Sequence, residues 1–128
     1  MIIVPRGDNG SAPPFTLSTA DAESRHPVVT VGGDLDFQTA DTLRTTLTGL
    51  VAANPIEVTL RVADLRFVDS TGLAVIVHTW RACQDARIVL RVTEVPRFLD
   101  TMFDITGVAE LLARPVPAIP EERNATTV

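Results

Sequence analysis

Between Ile56 and Cys83 the apolar residues change period, and that change restricts the architectures open to the chain. Val58, Leu60 and Val62 alternate with Thr59 and Arg61, the two-residue repeat of a strand with one buried face. From Leu73 onward, Leu73, Ile76, Val77, Trp80 and Cys83 return at steps of three and four, the repeat of a helix lying on a core. Leu73 to Val77 alone also fits a buried strand; the continuation to Cys83 and the Ser-Thr start select a helix. A strand that feeds straight into a helix implies helices packed on a sheet.

The flanking sequence repeats this grammar. Phe15-Thr16-Leu17-Ser18 alternates and reads as an edge strand, Pro27 to Val31 as a second strand closed by Gly32-Gly33, and Ile56 to Val62 as a third. Ile88 to Val92 is a fourth, and Val108 to Leu112 a short fifth. Ala40, Leu43, Leu47, Leu50 and Val51 share one helical face, begun at Gln38 or Thr39 and stopped by Asn54-Pro55. A third helix follows Pro96, whose fixed φ suits a first helical position. Phe98, Leu99, Met102 and Phe103 face inward, and Gly107 ends the helix or begins a turn. The expected fold is α/β: one domain over residues 15–112, with a mixed four- to five-stranded sheet and helices mainly on one face. Residues 1–14 are expected to be a flexible N-terminal segment, and 113–128 a flexible Pro-rich tail.

Composition removes several functions. A chain of 128 residues supports one real core, and a net charge of −5 lacks the basic face that duplex nucleic acid requires. Every basic side chain other than histidine is Arg. Without Lys there is no P-loop, no Schiff base and no Ser-Lys pair. Cys83 is the single cysteine, so no internal disulfide or cysteine-based metal cluster is expected. His78 falls off the inward stripe and has no ligand neighbour at a metal-binding interval. His26 reads as loop. The Met1-Ile2-Ile3-Val4 run is cut by Pro5 and does not resemble a signal peptide, and no run approaches a membrane span. A cytoplasmic protein without cofactor is expected.

Two strand-to-helix junctions carry the candidate chemistry. At Gly33-Asp34-Leu35-Asp36 the glycines permit a tight exit, and the two carboxylates point the same way in extended chain while Leu35 turns inward. They read either as turn and cap residues or as an acidic lip that contacts a partner. At Val68-Asp69-Ser70-Thr71-Gly72-Leu73, Ser70 stands where the strand becomes a helix, Gly72 relaxes the first turn and Leu73 plugs the core. In isolation Ser70 reads as an N-cap. Asp64 reads as part of the turn after the third strand, with Arg66 able to pair with it.

The second junction resembles the signature of anti-sigma factor antagonists of the STAS domain family, which usually runs Asp-Ser-Ser-Gly-Leu-Gly. Gly33-Asp34-Leu35-Asp36 with Thr39-Ala40, and Phe103-Asp104-Ile105-Thr106-Gly107-Val108, resemble the same family in the same order. Thr71 stands where the family usually has a second Ser, and Ala74 where it has Gly. The resemblance implies partner switching. The unphosphorylated protein binds an anti-sigma factor that is also a serine kinase, which frees a sigma factor. Phosphorylation at Ser70 (with Thr71 the alternative acceptor) breaks the complex, and a phosphatase restores it. Gly33, Asp34, Asp36, Asp69, Ser70, Thr71 and Gly72 are the implied partner-binding residues. No nucleic acid, membrane, metal or catalytic residue is implied.

Rival functions fare less well. Ser70 is outside a Gly-x-Ser-x-Gly elbow and neither His has an acidic orienter, which argues against a serine hydrolase. A response-regulator-type phosphoacceptor lacks its lysine. A STAS scaffold or ligand-sensing module without kinase switching is the nearer alternative.

Overall fold

The computed structural model describes residues 2–4 and 15–115. In chain order the elements are β1 (Ile2–Val4), β2 (Phe15–Ala20), β3 (Val28–Leu35), α1 (Ala40–Ala52), β4 (Glu57–Val68), α2 (Ser70–Ala86), β5 (Val89–Thr93), α3 (Arg97–Thr106) and α4 (Val108–Leu112). The sheet has five strands in the order β1-β2-β3-β4-β5. β1–β2 and β2–β3 are antiparallel, while β3–β4 and β4–β5 are parallel. The mixed α/β sheet with helices on one face is the architecture expected from the sequence.

Alternation explains the layers. Phe15 and Leu17 of β2, Val29, Val31 and Leu35 of β3, and Val58, Leu60 and Val62 of β4 are buried toward the helices. They meet Leu43 and Leu47 of α1, Ile76 and Cys83 of α2, and Leu99 and Phe103 of α3 in one core. The other face carries residues such as Thr30, Thr59 and Arg61, and its charges pair across it: Arg61 with Glu94 at 2.8 Å and Arg91 with Glu57 at 3.3 Å.

Several sequence expectations are corrected. The third strand does not stop at Val62 but runs to Val68, and Asp64 lies inside it rather than in a turn. Pairing with β3 shifts twice, so Thr30 faces Arg61, Gly32 faces Asp64 and Asp34 faces Phe67. Each shift adds one residue to β4, a bulge that keeps Leu65 and Val68 facing the core although their spacing has become three. Gly32 makes room for this: a Cβ there would lie 2.8 Å from Thr16 Oγ1 and 2.9 Å from Asp64 Cβ.

Val108 to Leu112 is the helix α4, not a fifth strand; the fifth strand is β1. β2 is therefore not an edge, and residues 2–4 of the expected flexible N-terminal segment are paired sheet. Residue 1, residues 5–14 and the tail beyond residue 115 lie outside the described residues. Pro96 is the N-cap of α3 rather than its first residue, Phe98 is partly exposed, and Gly107, at φ 83°, ends the helix. The buried stripe of α2 is Gly72, Val75, Ile76, Thr79, Trp80 and Cys83, with Leu73 and Val77 at its margin. His78 and His26 are exposed.

Candidate functional site

β3 and β4 run parallel and end together, with Leu35 opposite Val68. Each then turns into a helix, so the two junctions singled out in the sequence lie side by side. Strand ends feeding helices are where α/β sheets commonly place their sites.

Asp69 joins them. Its backbone N–H donates to Leu35 O at 3.1 Å. Its carboxylate accepts from Gly72 N through Oδ1 at 2.9 Å and from Phe37 N through Oδ2 at 3.0 Å. Asp69 is therefore the N-cap of α2, and the N-cap reading of Ser70 is corrected: Ser70 is the first helical residue. The hydroxyl is released from the capping task, and Ser70 and Thr71 are both exposed.

Gly72 lets the helix come this close. A Cβ at Gly72 would lie 2.5 Å from Leu35 O and 2.7 Å from Leu35 Cγ, so α2 starts directly against the end of β3. The first junction is tied by its own side chains. Asp36 Oδ1 accepts from Gln38 N at 2.9 Å and Thr39 N at 3.2 Å. Thr39 Oγ1 accepts from Asp36 N at 3.0 Å and donates to Asp34 O at 2.8 Å.

The predicted site residues therefore divide. Ser70 and Thr71 present side chains to solvent, and Asp34 and Asp69 are half-buried. Gly33, Asp36 and Gly72 are buried. Asp36 is only 4 % exposed, so of its two readings the turn-and-cap one holds and the acidic lip does not: its carboxylate ties the turn into α1. Gly33, at φ 84°, and Gly72 are buried and shape the backbone of the two junctions.

Sequence reasoning missed Phe37, which is 71 % exposed on the loop after β3. Its one signal was negative: it belongs to no apolar stripe, sitting between Asp36 and the start of α1. Phe67, paired beside Asp34 on the outer face of the sheet, is 49 % exposed. Two aromatic side chains thus stand near an exposed hydroxyl at one end of the sheet.

Elsewhere, a groove of about 570 Å³ runs between α2, β5 and α3–α4, lined by Trp80, Cys83, Leu90, Val92, Phe103 and Leu112 among others. Cys83 lies about 20 Å along α2 from Ser70 at 1.5 Å per residue. Burial pushes the Cys83 thiol up to about 11. Among the described residues no His, Cys, Asp or Glu cluster suits a metal ion, and no helix is long and apolar enough to cross a membrane.

A mixed sheet with helices on one face, and an exposed serine at the start of a helix capped by its neighbour, define an α/β domain with a solvent-facing hydroxyl where two strand-to-helix junctions meet. The family described as Mlab, STAS domain matches residues 18–113, and the chain belongs to the STAS domain family. It is similar to the anti-sigma-B factor antagonist of Staphylococcus epidermidis, 32% identical over 84 residues that cover 66% of this chain and 78% of that one. In fold it is similar to an anti-sigma factor antagonist from Mycobacterium paratuberculosis (TM-score 0.66, 19% identity, covering 89% of this chain and 95% of the other). It is also similar to SpoIIAA in its unphosphorylated form (TM-score 0.58, 16% identity, 87% and 94% covered), and the phosphorylated form of SpoIIAA matches with the same TM-score of 0.58.

Proposed function

We propose that the chain is an anti-sigma factor antagonist that works by binding, not by catalysis. Unphosphorylated, it occupies an anti-sigma factor that is also a serine kinase; phosphorylation at Ser70 ends the complex, and a phosphatase restores it. The observation that carries this reading is the exposed Ser70 hydroxyl, relieved of capping by Asp69, beside exposed aromatic surface. The names of the curated relatives support the anti-sigma partner. SpoIIAA, similar in fold, exists in a phosphorylated form. A cytoplasmic location goes with this reading.

The chemistry of the switch follows from charge. A phosphoserine carries about −1.5 to −2 charge near neutral pH. At the first turn of a helix the dipole favours that charge by about 0.3–1 kcal/mol, so the domain stays folded. Against a partner carboxylate about 5 Å away, each unit-charge pair repels by about 1–3 kcal/mol at effective dielectrics between 80 and 20. One unit-charge pair therefore weakens binding by about 5- to 150-fold, and a phosphate carrying about 1.5 to 2 charges by about tenfold or more. The surface changes while the fold is kept.

The test is a pull-down with wild type, Ser70→Ala and Ser70→Asp baits against the ATP-binding anti-sigma kinases of the same genome, with phosphosite mapping after addition of ATP. Wild type and Ser70→Ala capture a kinase, Ser70→Asp loses it, and phosphate appears on Ser70. Equal capture by all three baits rejects the switch. A ligand-sensing module is the second reading, favoured by the groove beside Trp80. Kinase capture sensitive to position 70 decides between them.

A further inference from the structure

We propose that Phe37 is the apolar anchor by which the partner grips this surface, and that Asp69 is the positioning residue that holds Phe37 beside Ser70. The inference rests on the antagonist reading and extends it to residues outside the phosphoacceptor motif.

Phenylalanine is ordinarily buried, and here it is 71 % exposed in a segment that is held on both sides. Its own N–H donates to Asp69 Oδ2 at 3.0 Å, and the two residues that follow have their N–H groups on Asp36 Oδ1. Hydrogen bonds fix the backbone and leave the ring outside. A ring on a fixed backbone has only two χ angles left to order, so contact with it costs little entropy on binding. Aromatic side chains, Phe among them, are enriched at the cores of protein interfaces. Phe67, 49 % exposed near the end of the strand that leads toward Ser70, is a second exposed aromatic residue at this end of the sheet. The occupant is an apolar socket on the anti-sigma factor, placed beside its contact with Ser70. This position is continuous with the proposed switch.

The Asp69 carboxylate also links the two functions. One oxygen caps α2 beneath Ser70 and the other holds Phe37 N. A phosphate on the adjacent residue places like charge against that carboxylate, so the modification acts on the anchor's support as well as on the partner.

The experiment measures dissociation constants of the full chain for the purified anti-sigma kinase that wild type captures, using wild type, Phe37→Ala, Phe37→Leu and Ser70→Asp. Phe37→Ala raises Kd about 30-fold, the loss expected of a hot-spot residue, mainly through faster dissociation. Its thermal midpoint stays at the wild-type value, because the ring is exposed, and Phe37→Leu recovers most of the affinity. Ser70→Asp weakens binding in a salt-dependent way, whereas the Phe37→Ala deficit is unchanged by salt. If Phe37→Ala binds within about threefold of wild type while Ser70→Asp is impaired, the anchor is overturned and the antagonist reading stands. Capture of no kinase by wild type overturns both.

Discussion

Asp69 carries more of this surface than the serine beside it. One carboxylate satisfies an N-terminal amide of α2 and an amide of the loop after β3, so it is both a helix cap and a tie between elements. Removing both bonds with Asp69→Ala costs about 2 kcal/mol, while Asp69→Asn, which keeps one acceptor, costs about 1 kcal/mol. Urea unfolding reads both; equal, near-zero losses contradict the assignment. The motif Val68-Asp69-Ser70-Thr71-Gly72-Leu73 made the junction legible in the sequence, but the division of labour within it was not. Whether Asp or Ser caps depends on where the chain enters the helix, and that is set by contact with Leu35. For Asp36 the sequence offers a turn-and-cap role or a place on an acidic lip, and the bonds it makes are those of the turn and cap. Its burial comes from Thr39 and the amides it gathers, a local closure that alternation does not encode.

Among the elements, the contact between the end of β3 and the start of α2 is the tightest on the site. Gly72→Ala drives a methyl to 2.5 Å from Leu35 O, and the expected loss is about 3 kcal/mol by the general cost of overpacking. Because the nearest atom is a backbone carbonyl, trimming the side chain with Leu35→Ala does not rescue Gly72→Ala; the double variant is less stable than either single one. Chemical denaturation of the four proteins in the cycle checks this, and recovery in the double variant contradicts it. β4 shows why element boundaries were only partly legible. Val58, Leu60 and Val62 announce a strand, but Leu65 and Val68 follow at three-residue steps, and a bulged strand then looks like a turn. Val108 to Leu112 is too short for its apolar residues to separate helix from strand, and packing made it α4. Phe37 escaped notice because exposure of an aromatic residue leaves no periodic trace.

For the whole molecule, the α/β class, the mixed sheet and the helical layer were legible because most core positions follow a period of two or of three to four residues. The core makes its own prediction through Cys83. Burial raises its thiol to about 11, so the folded state binds that proton more tightly than the unfolded chain. The associated stability is fully present below the ordinary thiol range, near 9.0, and is lost as pH rises through about 11. Denaturation midpoints fall over that window in wild type and fall less in Cys83→Ala. Iodoacetamide at pH 8 labels Cys83 only as fast as the protein opens. Rapid labelling of the native chain contradicts the burial.

The switch proposed at Ser70 leads to a quantitative comparison: the affinity of the captured anti-sigma kinase for the chain before and after stoichiometric phosphorylation of Ser70. Binding weaker by tenfold or more with an unchanged fold is the predicted result. Equal affinity of the two forms, with phosphate verified on Ser70, contradicts it.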